Sequence, residues 1–477
     1  MNGKARATRI LCVALFYAVA LTLQVWAQTS IGGVPSSPTN VAATQVGQPR
    51  TTDGLPSPLA SSFMDQQNGL NMEDLIGIAA QRSRELLAAR QNLIIGQGRI
   101  VQAGLRPNPS INFDSTTDRS FGAEGEGVYG VSYLHPIELG GKRSKRLEVA
   151  LLELERNRAE LAFRERQIEA EIKSQYAEAL AAVENLRAVE QLSQLSTQTL
   201  QVTQVRLDRG DVSRLDVNLV RVEVNRLVVQ QLQFQNRARA ALLSLRTLTG
   251  MDATQAFKLR GELQAPPVEL TQGEAEQLAL ETRQDLKAAQ LAEEAVAADI
   301  RLARAQAVPD VTPFFGYRRE TSVFGANALA RVFNSNGLIP GGRLSDRDKF
   351  WSFGVSVQLP FFNRNQGAVQ EAGGRVAQAR QNREFAELVV KRDVAVAFNR
   401  YQAARQAVEL FQTEILPLGR ENLQTIRTAY SLGDQPIFEV INEQRRLVES
   451  QNGYIDALKE DYLSVIELER AIGKPLR

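Results

Sequence analysis

The chain is written twice. At an offset of about 223 residues the same landmarks recur. Val131-Ser132-Tyr133-Leu134-His135-Pro136 answers to Val355-Ser356-Val357-Gln358-Leu359-Pro360, and Arg206-Leu207-Asp208-Arg209-Gly210-Asp211 answers to Ala429-Tyr430-Ser431-Leu432-Gly433-Asp434. Thr249-Gly250 likewise answers to Ile472-Gly473. Before the strands the offset shrinks to about 200, where Arg84-Glu85-Leu86 echoes Gln284-Asp285-Leu286, because the second copy carries a longer loop from Thr321 to Lys349. Whatever fold one copy adopts, the other must repeat, and each reads as helix, strand, strand, long helix, turn, helix. The copies occupy 71–250 and 271–477, joined by a linker at 251–270.

The long helices set the scale. From Ser144 to Arg206 there is neither proline nor glycine, and at 1.5 Å per residue such a segment spans roughly 90 Å. Ile168, Ile172, Ala179, Val183 and Leu186 recur at helical spacing among Glu, Arg and Gln, the pattern of a packed coiled coil. The counterpart runs from about Gln366 to Tyr430 with Pro417 as its one expected kink. Each long helix turns at Gly210 or Gly433 and returns over Val212 to Leu248 or Pro436 to Ala471, with Pro436 in the first turn.

Four segments change period: Ser110 to Thr117, Gly127 to His135, Val311 to Glu320 and Phe350 to Leu359. In the last, Trp351, Phe353, Val355, Val357 and Leu359 alternate with Ser352, Gly354, Ser356 and Gln358, giving one greasy face and one small or polar face. Aromatic residues gather here, among them Tyr129, Tyr133, Phe314, Phe315, Tyr317, Phe350 and Phe361, as rings do at a membrane interface. Strands of a soluble sheet alternate in the same way, so the reading depends on context.

The N-terminus supplies that context. Lys4, Arg6 and Arg9 precede an apolar run from Ile10 to Trp26, and Val25 and Ala27 offer small residues for cleavage. Residues 1–27 thus read as an export signal, with a retained anchor as the alternative. Residues 28–70, rich in Gly, Pro, Ser and Thr, read as a flexible leader. Past the signal no run of about 18 apolar residues exists, so any membrane crossing must use strands. Four strands cannot close a barrel, and open edges are not tolerated in lipid, so the subunit is expected to be an obligate oligomer.

The doubled plan, the Leu105-Arg106-Pro107-Asn108-Pro109 and Val308-Pro309 junctions and the glycine turns at 210 and 433 resemble the TolC-type outer-membrane efflux family over about Glu73 to Gly473. The resemblance implies a mostly α fold with a small β part. A trimeric twelve-stranded outer-membrane β-barrel is then continued by a long periplasmic α-helical coiled-coil barrel. It also implies residence in the outer membrane of a Gram-negative cell, in contact with its lipid. The partners implied are two further copies of the chain, a periplasmic adaptor, and an inner-membrane pump of the resistance-nodulation-division or ABC type. Pro136-Ile137-Glu138-Leu139-Gly140-Gly141-Lys142-Arg143 looks like the junction of the cobalt-zinc-cadmium branch, or else is a plain structural turn. The family's role is a passive exit duct for small molecules or metal cations. A type I protein secretion duct and a periplasmic coiled-coil adaptor are the alternatives.

Charge and motif content agree with a conduit. Fifty-six basic residues nearly cancel 54 acidic ones, leaving no field for nucleic acid. Cys12 lies in the signal and His135 is the only histidine, so no cofactor, metal set or catalytic residue is expected. No phosphate loop or nucleophile elbow is present, so the chain is not expected to be an enzyme. Carried over from the family, Asp216 and Glu439, each six residues past its glycine, match constriction-lining acids, and Tyr430 matches a gate tyrosine. The same acids also suit a helix's first turn. Asn442 and Gln435 depart from the family's second acid and its basic gate residue. Leu207, Gly210, Leu432 and Gly433 are the expected adaptor contacts, although glycine at a helical hairpin needs no partner to explain it.

Overall fold

The computed structural model describes residues 59–118, 126–252, 254–325 and 343–476. The expected signal, residues 28–58 of the leader and residues 326–342 of the long loop lie outside them. In the first copy α1 (Met72–Arg82) and α2 (Arg84–Gly104) lead into β1 (Ser110–Thr117) and β2 (Gly127–Leu134). Then α3 (Lys142–Asp208) runs out and α4 (Arg214–Thr249) returns. The second copy repeats this as α5 (Gln272–Thr282), α6 (Gln284–Gln306), β3 (Val311–Gly325), β4 (Arg343–Val357), α7 (Gln366–Leu410), α8 (Leu416–Leu432) and α9 (Ile437–Ile472). At 1.5 Å per residue α3 alone is roughly 100 Å long.

Between α7 and α8 the chain makes one π-helical stretch, Phe411–Ile415. Pro417 causes it: the proline has no N–H and its ring crowds the carbonyl of Thr413, so the widened turn absorbs a misfit that an α-turn cannot. Pro436, expected inside the returning helix, is instead its N-cap, with ψ 156°, and the helix starts one residue later.

The sheet is antiparallel in the order β1-β2-β3-β4. Its register builds two distinct faces. On one, Phe113, Val131, Tyr317 and Trp351 form a row, and Ile111, Tyr133, Phe315 and Phe353 form the next. On the other, Asn112, Ser132, Gly316 and Ser352 lie level. The apolar face is open, with Phe353 83% and Phe113 81% exposed. Gly354 has no side chain because the Phe314 ring lies where its Cβ would be.

Two expectations need correction. The strands placed at 311–320 and 350–359 are Val311–Gly325 and Arg343–Val357, because the ladder continues through Thr321↔Arg347 and Ser322↔Asp346 after the apolar alternation has stopped. The second strand, taken to His135, ends at Leu134 before Pro136. The leader is also shorter than 28–70. Residues 59–70 are folded, with Ala60, Phe63 and Met64 buried. The linker supplies their partner: Leu259 donates to Phe63 O at 2.9 Å and accepts from Asp65 N at 2.9 Å, and Arg260 N donates to Leu70 O at 3.0 Å. Glu190 on α3 accepts the Leu59 N–H at 2.6 Å.

Two apolar clusters hold the middle of the subunit. One joins α1, α3, α4, α9 and residues 60–64 around Ile172, Leu186, Leu245 and Leu259. The other joins α5, α6, α7 and the end of α9 around Leu286, Val394 and Leu468. The copies are stitched together by Lys173 of α3, buried and bonded to Glu169 at 3.0 Å and to Glu469 of α9 at 2.7 Å. Burial pushes the Lys173 ammonium down, but its two carboxylates outweigh this and hold it above the usual lysine value. Burial likewise opposes ionisation of Glu169, which Lys173 nonetheless keeps below the usual carboxylate range.

Candidate functional site

The tips of the two hairpins are built alike. Gly210 and Gly433 sit at φ +82° and +87°. The N–H of Asp211 bonds Arg206 O at 2.9 Å, and the N–H of Asp434 bonds Ala429 O at 3.0 Å. These are the closing bonds of Schellman caps, which satisfy the last carbonyls of α3 and α8. No atom lies within 4 Å of where a Cβ would stand at either glycine, so only the left-handed backbone requires glycine there. Gly433→Ala should therefore cost about 1–2 kcal/mol locally, read as faster amide exchange at 429–436 with no change in global unfolding. Unchanged exchange would show that the turn is not held in this conformation. Leu432 beside it is 73% exposed, whereas Leu207 is half-buried.

Asp216 and Glu439 occupy equivalent helical positions but different circumstances. Ser213 is the N-cap of α4, and the Asp216 carboxylate accepts both Ser213 N–H at 2.9 Å and Ser213 Oγ–H at 2.8 Å. The Ser213 hydroxyl oxygen in turn accepts Asp216 N–H at 3.2 Å. This is a reciprocal capping box, and it occupies Asp216. In the second copy Pro436 stands at the N-cap, with neither a side-chain acceptor nor an N–H for a carboxylate to receive. Among the described residues, no hydrogen bond or ion pair engages the Glu439 carboxylate.

Tyr430 joins the two hairpins. Arg206 Nη1 donates to its hydroxyl at 3.0 Å, and the guanidinium lies 5.3 Å from the ring centroid. The ring packs on a small cluster of Val220, Ile437, Val440 and Ile441. Two turns into the returning helices lies a second tie that the sequence reading missed. Glu223 of α4, 5% exposed, accepts from Arg445 of α9 at 2.9 Å and lies 3.6 Å from Arg226, which also reaches Glu449 at 3.7 Å. Arg226 and Glu449 are related by the repeat offset and carry opposite charge. That complementarity was the available signal.

At the opposite end of the helices, the segment Pro136–Arg143 makes a dense joint. Gly140 and Gly141 both have φ +69°, and a Cβ at Gly140 would stand 2.9 Å from the Val308 side chain. Lys142 pairs with Asp310 at 2.7 Å, Asp310 accepts Leu139 N–H at 3.1 Å, and Arg143 Nε donates to Gly104 O at 2.6 Å. Arg146 bonds Glu138 at 2.9 Å and holds that carboxyl below its usual range. In the second copy Asn365 adopts φ +59° in place of Gly141 and donates to Ala303 O at 2.8 Å, as asparagine tolerates this region. Every charged group of the motif thus serves the strand-to-helix joint. His135, next to it, stacks on Tyr133.

A family model described as outer membrane efflux protein matches residues 75–251 and 276–474. The cobalt-zinc-cadmium resistance protein CzcC of Cupriavidus metallidurans is 24% identical over 411 residues, 85% of this chain and 90% of that protein. The outer membrane protein TolC of Vibrio cholerae is 22% identical over 301 residues, 62% of this chain and 66% of that one. A crystal structure of CusC, described with the conformational changes accompanying folding and transmembrane channel formation, superposes with a TM-score of 0.69 at 19% identity, covering 91% of this chain and 99% of CusC.

Proposed function

The chain belongs to the outer membrane efflux protein family, and from that premise we propose that it is the channel subunit of a tripartite efflux system. It serves as a passive exit duct for small molecules or metal cations, delivered by an inner-membrane pump through a periplasmic adaptor. The observation that carries the reading is the four-stranded sheet with an exposed apolar face and two edges unpaired among the described residues, set on two helical hairpins. Edges of this kind are closed in lipid only by further strands, and three copies around an axis supply them. The exposed Leu432 and the glycine turns form the tip that the adaptor grips. A relative that confers cobalt-zinc-cadmium resistance supports metal cations as cargo.

At the tip, Glu439 is the aperture acid and Asp216 is a capping acid. The reason is the N-cap: serine engages one carboxylate and proline leaves the other available. Three Glu439 side chains around the axis favour cations over anions, and the Arg206–Tyr430 tie holds the hairpins together at rest. In planar bilayers the purified trimer should conduct cations in preference to anions, and Glu439→Gln should reduce that preference severalfold. Asp216→Asn should cost the helix start about 1 kcal/mol and leave selectivity alone. A soluble monomer without conductance would overturn the channel itself. Equal selectivity in wild type and Glu439→Gln would remove only the acid ring.

A further inference from the structure

The part of β3 and β4 that extends past the aromatic rows sorts its charges by face. On the apolar side, the row after Tyr317 and Trp351 is Tyr129, Arg319 and Lys349, and the row after that holds Thr321 and Arg347. On the opposite side the corresponding rows hold Asp114, Arg318 and Phe350, then Glu320 and Asp348, then Ser322 and Asp346. Continuing the alternation puts Asp118 and Glu126, whose backbones bond at 3.2 Å, on that side too. Every acid of the described sheet therefore lies on one face, and Arg319, Arg347 and Lys349 lie on the other.

This arrangement is costly for an isolated hairpin. Arg319 stands directly across from Lys349 and Glu320 directly across from Asp348, and like charges in opposed positions destabilise a strand pair. On the inner face Arg318 lies 3.8 Å from Glu320 and offsets part of the repulsion. On the outer face of the described strands no acid is available: among the described residues Arg319, Arg347 and Lys349 have no ion-pair partner; residues 326–342 add one arginine and no acid, and residues 119–125 add Arg119 and Glu124. Counting the two loops, one glutamate stands against Arg119, Arg331 and the three outer cations, so the outer side of this end of the sheet stays net positive and draws its counter-charge from outside the chain.

Its position identifies the source. Successive outward residues on a strand are roughly 7 Å apart, so Arg319 and Lys349 stand one step beyond the Tyr317–Trp351 pair, whose ring centroids are 4.9 Å apart. Aromatic rings mark the depth of the lipid headgroups. The basic rows lie on the same face as the rings and farther from the helices. We propose that Arg319, Arg347 and Lys349 form an anionic-lipid site that binds the phosphate groups of outer-leaflet lipid around the channel mouth. The proposal rests on the barrel reading above, which makes the apolar face the lipid-facing one.

The test is native mass spectrometry of the detergent-purified protein titrated with bis-phosphorylated lipid A and, separately, with its dephosphorylated form. Wild-type trimer should retain the phosphorylated lipid in preference. The triple variant Arg319→Gln/Arg347→Gln/Lys349→Gln should lose affinity for it by roughly tenfold or more, with dephosphorylated lipid binding unchanged. Arg318→Gln, one residue away but on the inner face, should behave as wild type, and Lys349→Arg should retain binding. Inorganic phosphate at millimolar concentration should not displace the lipid, since the acyl chains share in the contact. Trimers of wild type and triple variant that retain phosphorylated lipid equally would overturn the lipid site alone. A wild-type spectrum showing only monomer would overturn the barrel, and the lipid site with it.

Discussion

Phe353→Arg subunits should be made at normal levels yet be missing from the membrane-inserted trimer. Phe353 lies on the apolar face one row inside the Tyr317–Trp351 pair, level with Phe315, and is among the most exposed apolar side chains of the subunit. An arginine on the lipid face costs about 1–3 kcal/mol at a depth between interface and midplane, and the proposed threefold symmetry would impose that cost three times in one assembly. The total rivals the stability of an ordinary domain. Fractionation of the envelope, with native mass of the extracted protein, reads the outcome. Ser356→Arg, which points from the other face, should assemble. If Phe353→Arg trimerised as well as wild type, the apolar face would not face lipid.

Lys173→Met should lower stability at neutral pH by about 3 kcal/mol and lose much of that effect in acid. In the wild type Lys173 Nζ stands between Glu169 and Glu469 at 3.0 and 2.7 Å. Without it two part-buried carboxylates face each other within roughly 6 Å. The wild type behaves in the opposite sense with pH. Glu169, held below its usual value of 4.5, adds stability that is present above that value and lost as pH falls through its lower folded one. Lys173, held above 10.5, adds stability that is full below that value and fades only in stronger alkali. The variant instead recovers as its two acids take up protons. Thermal unfolding of both proteins at pH 7 and pH 4.5 should show the gap between them narrowing at the lower pH. A gap of equal size at both would mean that lost packing, not charge, is responsible.

The doubled plan, the fold class and the sites of the two turns could all be read before the structure, because each depends on local periodicity or on a residue with one dominant conformational use. Gly433 and Pro417 are of that kind. The extension of β3 and β4 was not legible, since apolar alternation reports burial, and residues such as Asp346 and Lys349 keep the ladder without the alternation. Folding of residues 59–70 was hidden for another reason: Phe63 and Met64 look isolated in a polar stretch, and their partner Leu259 arrives from the far end of the first copy. At the tip the sequence showed Asp216 and Glu439 as equals. The Ser213-x-x-Asp216 capping pattern and the proline opposite it were equally visible, and they separate the two acids. The Arg206–Tyr430 and Glu223–Arg445 ties join distant segments, and no window along the chain contains both ends.

The two unpaired sheet edges also bear on inheritance. A ring that closes only when every neighbour completes it averages over its members, so one faulty subunit spoils sound ones. If a cell made a faulty and a normal form in equal amounts and mixed them freely, only about one ring in eight would be wholly normal. Lesions that still permit edge pairing would therefore act as dominant, whereas lesions that unfold the sheet would be recessive. The more severe damage to the molecule would be the milder damage to the cell.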